Sequence, residues 1–177
     1  MRKDIKNIIQ IPEDVTCHIE NDKIKLSKSG YDIVIGLEYP AKKEGNSVVF
    51  ECKGSTKNQK KLINSTVAHI KNAIKGFEKK YVYKLQVVFV HFPVTVTLNK
   101  NELIIKNFLG EVRERKAKIL EGVEVKVEKE MITVTCANKE KAGQTAANME
   151  KATRIRNRDR RVFQDGIFLT ERNGVKL

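Results

Sequence analysis

The feature that most constrains the fold is that this chain of 177 residues reads twice. The first copy opens IPEDVTCHIENDKIKLSKSG, from Ile11 to Gly30, and the second opens FPVTVTLNKNELIIKNFLG, from Phe92 to Gly110. Each has an apolar residue and a proline, an alternating segment, a polar turn (Glu20 to Lys23; Asn99 to Glu102), a second apolar segment and a glycine. Apolar residues at every second position, Val15, Cys17 and Ile19 against Val94, Val96 and Leu98, give the period of a half-buried strand. The short polar turns make each pair of strands a hairpin. The parallel continues with Val48 to Cys52 (VVFEC) against Ile132 to Cys136 (ITVTC). Pro12 and Pro93 are 81 residues apart, Cys52 and Cys136 84, the drift left by a duplication whose loops have changed.

A helix follows each copy. The first is predicted over about 57–75, with Leu62, Ile63, Val67, Ile70 and Ile74 forming an apolar stripe. Thr56 and Gln59 have the spacing of a capping box. The second is predicted over about 139–155, capped by Asn138, with Ala142, Ala146, Met149, Ala152 and Ile155 as its buried face. The boundary between copies falls near Gly76 to Val82. The predicted fold class is therefore α+β: two similar tandem domains, 1–80 and 81–177, each an antiparallel sheet packed on one long helix. Cores this small lean on each other or on a partner.

Composition narrows the partner. Lys and Arg number 35 against 22 Asp and Glu, a net charge of +13, with an isoelectric point near 9.7. Such a balance points to nucleic acid or another acidic surface. No apolar run approaches the ~20 residues that span a bilayer. The N-terminal MRKDIKNIIQIPEDV lacks the apolar core of a signal peptide, and the chain is read as cytosolic. The two halves carry nearly equal net charge, yet Arg2 is the one arginine before residue 83 and eight follow it. Lysine supplies diffuse attraction; arginine supplies a planar fork that binds phosphate through two parallel hydrogen bonds. The specific contact surface is expected in the second half.

Five of those arginines, Arg154, Arg156, Arg158, Arg160 and Arg161, fall in eight residues, interrupted by Asp159. Asp159 has two readings: it holds neighbouring guanidinium groups in a fixed fan, which is preferred, or it reduces their repulsion. Val162, Phe163, Ile167 and Phe168 follow and would fasten the segment to a core. Stacking of Phe163 or Phe168 on bases is the alternative to that core role. Gln164-Asp165-Gly166 reads as a tight turn, which gives Asp165 a structural role. The preceding helix is rich in small residues, Ala142, Gly143, Ala146, Ala147 and Ala152. They either pack tightly on the domain's own sheet or expose a bare backbone beside a polar face of Gln144, Thr145 and Asn148, whose groups can read riboses and base edges. Arg113, Arg115, Lys116 and Lys118 form a second basic group, either a solvated hairpin tip or a phosphate clamp. The lysines flanking the first helix, Lys57 to Lys80, are read as a solvated face.

Catalytic and metal chemistry find no pattern. Cys17, Cys52 and Cys136 form no C-x-x-C pair, and His18, His69 and His91 stand far apart. Cys17 and His18 would point to opposite faces of one strand. There is no P-loop, G-x-S-x-G or H-E-x-x-H, nor a helix-turn-helix or zinc finger. The chain is read as a non-enzyme without a cofactor or metal. A free nucleic-acid-binding regulator remains the alternative to a structural RNA-binding role.

Several of these segments together resemble one family. NFLGE (Asn107 to Glu111), GFEKKYVYKLQVVFVHFP (Gly76 to Pro93), GQTAANMEKATRIRNRDRRVFQDGIF (Gly143 to Phe168) and the repeat itself resemble the "L-six" proteins of the large ribosomal subunit, in their archaeal and eukaryotic form. The likeness covers nearly the whole chain and is strongest in the second half. It departs at LSKSGYDIVIG, where the family has a Lys-Gly-x-x-Gly type of turn. The resemblance implies two α+β domains and binding to large-subunit rRNA through the second, near the sarcin–ricin loop and stalk base. It implies neighbouring ribosomal proteins and translation GTPases as further partners, and no enzymatic activity or cofactor. Carried onto matching positions, the contact set is Lys141, Gln144, Asn148, Arg154, Arg156, Arg158, Arg160, Arg161, Gln164 and Asp165, with Thr145 joining from the polar helix face.

Overall fold

The computed structural model describes residues 3–20, 22–28 and 30–177, which divide into two units, Met1–Lys79 and Lys80–Leu177. In the first unit the strands are β1 (Lys3–Gln10), β2 (Thr16–Glu20), β3 (Lys23–Lys28), β4 (Tyr31–Gly36), β5 (Lys42–Glu44) and β6 (Ser47–Ser55), followed by α1 (Lys57–Glu78). The second unit runs β7 (Tyr81–Val88), β8 (Thr95–Asn99), β9 (Glu102–Lys106), a 3-10 turn (Phe108–Gly110), β10 (Arg115–Lys118), β11 (Glu124–Glu128) and β12 (Met131–Cys136). It continues with α2 (Lys139–Ala152), β13 (Gly166–Arg172) and β14 (Val175–Lys176).

The duplication is visible strand by strand. Each unit divides its strands between two antiparallel sheets and sets one helix against them. In the first unit the sheets are β1-β6-β5 and β2-β3-β4; in the second, β7-β12-β11 and β8-β9-β10 repeat that order. The hairpin β8–β9 turns between Asn99 and Glu102, which pair with each other. In the first copy Glu20 pairs with Lys23; Asn21 of that turn, and Ser29 of the next one, lie outside the described residues. The second unit then adds what the first lacks. Its larger sheet extends past β7 to β13 and β14, giving the order β11-β12-β7-β13-β14.

Alternation in the sequence becomes burial. Cys17 is buried between exposed Thr16 and His18 on β2, so the cysteine and histidine do part to opposite faces. Ile24, Leu26, Val48, Phe50, Ile63 and Ile70 form the centre of the first core. Leu85, Leu103, Ile105, Phe108, Ile132, Val134 and Met149 form the second. The three cysteines are buried free thiols. Among the described residues no buried side-chain nitrogen or oxygen lacks a partner.

The helices begin where their caps put them. Thr56 Oγ1 accepts from the Gln59 N–H and Gln59 Oε1 accepts from the Thr56 N–H at 2.9 Å, a complete capping box. The α1 stripe is rotated from the apolar pattern. Ile63, Thr66, Ile70, Ala73 and Gly76 are its buried residues, while Leu62, Val67 and Ile74 are half-buried. Small residues take the line of closest approach, and Thr66 satisfies its hydroxyl by donating to the Leu62 carbonyl at 3.1 Å. Asn138 Oδ1 accepts from the N–H groups of Glu140 and Lys141 and caps α2. Ala142, Ala146 and Met149 are buried as expected. However, α2 stops at Ala152 rather than Ile155. Thr153 leaves helical geometry, donating its hydroxyl to the Glu150 carbonyl and accepting from the Ile167 N–H at 2.9 Å. That pair of bonds sews the helix end to β13.

Candidate nucleic-acid interface

The arginine segment exists because of the added strands. In the first copy α1 ends at Glu78 and β7 begins at Tyr81. In the second copy β13 lies beside β7, on the edge opposite β12. The chain must therefore cross from the end of α2 to that edge, and residues 153–165 are the crossing. Arg154, Arg156, Arg158, Arg160 and Arg161 are all exposed on it. Among the described residues the one ion pair made by any of their side chains joins Arg161 Nε to Asp159 Oδ1, at 3.7 Å. A crossing held out in water with its guanidinium groups largely unneutralised is a surface for an external polyanion.

Its shape is set by bonds that leave those groups outside. Asp159 Oδ1 accepts from the Arg161 backbone N–H at 2.9 Å, and the Asp159 carbonyl accepts from the N–H groups of Val162 and Phe163. Asp159 is thus chiefly a turn-former and not the clasp of a fan. The turn lies at 159–163, earlier than the expected one at Gln164 to Gly166, and Gly166 opens β13 instead. Val162 is 60% exposed and anchors nothing. Phe163 does anchor: its ring stacks on His91 with centroids 5.0 Å apart, and Arg158 Cζ lies 4.8 Å from its centroid on the crossing side.

Asp165 closes this assembly from beneath, with a side chain only 1% exposed. Its Oδ1 accepts from the backbone N–H groups of Val90 and His91, and its Oδ2 lies 2.8 Å from His91 Nδ1. Burial, the largest effect, pushes the carboxyl pKa up. Backbone donation from Val90 and the side-chain and backbone bonds of His91 outweigh it and hold the group below its ordinary value. Asp165 is therefore no RNA contact. It ties the crossing to the loop after β7, in support of its structural reading.

The second basic group separates into different roles. Arg115 donates through Nε and Nη2 to the Glu111 carboxylate, at 2.8 and 2.6 Å, and through Nη1 to the carbonyls of Ala152 and Arg154. Its guanidinium also covers the Phe108 ring at 4.4 Å. With every nitrogen committed within the protein, Arg115 is a brace for the start of the crossing, a role that neither the solvated tip nor the phosphate clamp of the sequence reading gave it. Glu111 is held below its usual carboxylate pKa, chiefly by the Arg115 hydrogen bond. Glu111 and Arg115 stand four residues apart, but the reach of Arg115 to Ala152, 37 residues on, and of His91 to Asp165, 74 residues on, carried no motif. Lys116 pairs with Glu102 at 3.5 Å, and Arg113 and Lys118 are exposed.

On α2 the polar face is narrower than expected. Thr145 is fully buried, its Oγ1 accepting from the Leu120 N–H at 3.4 Å. It cannot reach RNA, because the helix turns that position onto the core with Ala142, Ala146 and Met149. Gln144 donates to Asn148 Oδ1 at 2.9 Å, and Asn148 donates to the Lys118 carbonyl at 3.0 Å. Lys141 Nζ donates to the Glu121 carbonyl. Gln144 and Lys141 remain exposed; Asn148 is half-buried and works mainly as a link.

Comparison with known proteins bears on this same region. The family model described as ribosomal protein L6 matches residues 92–166, from the start of the second hairpin to the point where the crossing rejoins the sheet. The large ribosomal subunit protein uL6 of Methanococcus vannielii is 40% identical over 98% of this chain and 97% of its own length. That of Methanobrevibacter smithii is 41% identical, over 93% and 94%. That of Sulfurisphaera tokodaii is 40% identical, over 94% and 92%. The chain belongs to the ribosomal protein L6 family. It is of the archaeal type, structural and not enzymatic. Membership favours the structural reading over the free regulator.

Within this L6 chain the NFLGE motif is architectural. Asn107 and Leu109 adopt positive φ, 57° and 52°, and Asn107 Nδ2 donates to the Pro93 carbonyl. Gly110 has a φ of 74°, a left-handed conformation that favours glycine, while a Cβ there would meet the Phe92 ring at an ordinary contact distance of 3.5 Å. Phe108 is buried beneath Arg115. The motif thus presents Glu111 to the arginine that braces the crossing. Among the described residues no group of His, Cys, Asp and Glu could hold a metal ion. Among the same residues no helix is long and apolar enough to cross a membrane.

Proposed function

We propose that this chain, a structural protein of the large ribosomal subunit, binds large-subunit rRNA through its second unit, near the sarcin–ricin loop and the stalk base. The observation that carries this reading is the crossing at 153–165: five exposed arginines, one loose internal ion pair, and a turn fixed from beneath by Asp165. A-form RNA hides its base edges in a deep groove, so recognition rests on phosphates, 2′-hydroxyls and shape. A row of planar, permanently charged donors suits converging phosphate backbones. Arg154, Arg156, Arg158, Arg160 and Arg161 are the primary contacts, with Lys141, Gln144, Asn148 and Gln164 beside them and Arg113, Lys116 and Lys118 as a secondary set. Neighbouring large-subunit proteins, and translation GTPases at the factor-docking region, are the further partners of this reading, and the cytoplasm is its compartment.

Replacing Arg154, Arg156 and Arg158 together with alanine is expected to weaken rRNA binding and lower incorporation into large subunits. Crosslinking with residue mapping is expected to join the crossing to the sarcin–ricin loop or stalk base. Unchanged rRNA affinity and unchanged sedimentation with large subunits would sink the proposal, and crosslinks confined to another region would sink its location.

A further inference from the structure

Between α2, the arginine crossing and β13 lies a groove of about 740 Å³, within the range of clefts that hold small ligands. Its apolar lining includes Ala147, Ile155, Ile167 and Phe168. Lys151, Arg154 and Arg160 bring positive charge to it. Two acids also line it: Glu150 Oε1 already accepts from the Leu169 N–H at 3.1 Å, and the Asp165 carboxylate is bound to Val90 and His91. Apolar walls with cations at the rim match a group that is flat and weakly polar at one end and anionic at the other.

Phe168 gives the groove a particular surface. It stands on β13, yet its ring folds back over Gly166: a Cβ at residue 166 would come within 2.9 Å of the ring. A larger residue there would displace the ring, and because the φ of Gly166 is not positive the glycine serves this contact and not the backbone conformation. The ring is 38% exposed, so it lies on backbone while presenting surface to the groove. Ala147, exposed on α2, leaves space where a larger residue would intrude. An aromatic platform beside arginines is how single-stranded and unstacked nucleotides are held, since every base has a face to stack and a phosphate to neutralise.

We infer that this groove accepts one unstacked RNA nucleotide, its base against Phe168 and its flanking phosphates on Arg154 and Arg160. The inference deepens the proposed rRNA-binding reading and rests on it. The full chain would be titrated with three RNA hairpins: one carrying a single unpaired adenosine, one with an abasic site at that position, and one fully paired. The bulged hairpin is expected to bind about tenfold more tightly than the other two, the worth of one stacked base. Ala147→Leu, which fills the groove without changing charge, is expected to abolish that preference, as is Phe168→Leu. Circular dichroism melts would confirm that both variants fold. Equal binding of the three hairpins by the native chain, or a preference that survives both substitutions, would overturn the groove while leaving the arginine contacts standing. Failure of the native chain to bind any of the three would overturn both readings together.

Discussion

Removing the carboxylate of Asp165 tests whether the crossing is held from within. Asp165→Ala deletes the acceptor for the N–H groups of Val90 and His91 and the partner of His91 Nδ1, in a position whose side chain is 1% exposed. Hydrogen bonds to a charged group contribute about 1.5–3 kcal/mol each. The loop holding Val90 is open enough for water to replace part of the loss, so a destabilisation of about 3 kcal/mol is expected. For a unit of this size that lowers the melting midpoint by about 10–20 °C. Asp165→Asn keeps one oxygen for the two backbone donors and forfeits the charge, for a smaller loss of about 1–2 kcal/mol. The pH dependence has a definite sign. The folded pKa lies below the unfolded one, so the contribution is fully present above the ordinary Asp value of about 3.9. It is lost as pH falls through the lower folded value. Urea unfolding of the native chain and both variants, from neutral pH down to about one unit below the ordinary Asp value, measures each difference. A loss under about 1 kcal/mol for Asp165→Ala at neutral pH, or a native-to-Asn gap that stays constant across the acid range, would refute the account.

Three other outcomes are expected. The triple substitution of Arg154, Arg156 and Arg158 should flatten the salt dependence of rRNA affinity, by roughly 0.7–0.9 in log–log slope for each phosphate no longer neutralised, with a melting point within a few degrees of native. Thr145→Val should destabilise by about 1 kcal/mol by orphaning the Leu120 N–H and leave rRNA affinity within about twofold, as measured by filter binding. Met149→Ala, at a fully buried position, should cost about 2–5 kcal/mol in denaturant unfolding.

Much of this architecture was legible because it is local. Strand alternation, the Thr56–Gln59 capping box and the Asn138 cap depend on residues near one another in sequence, the repeat is read by comparing two such local patterns, and the fold displays each of them. What sequence spacing missed was long-range. The rotation of α1 onto Thr66 and Ala73 follows from how closely a helix can approach its sheets, which hydrophobicity does not encode. Thr145 resembles Gln144 and Asn148 in polarity, but one step of helical rotation turns it into the core.

The crossing shows the same division. Composition alone determined its charge: five arginines in eight residues, near one acid, require water or an anion around them. The resemblance carried by GQTAANMEKATRIRNRDRRVFQDGIF identified the family. Only the tertiary structure decided why an arginine loop stands in one copy and not the other, because it depends on β13 pairing with the free edge of β7. It also separated the guanidinium groups left facing water from Arg115, turned inward onto Glu111, Phe108 and the end of α2. Charge is a property of the residue, whereas exposure is a property of what the rest of the chain brings beside it.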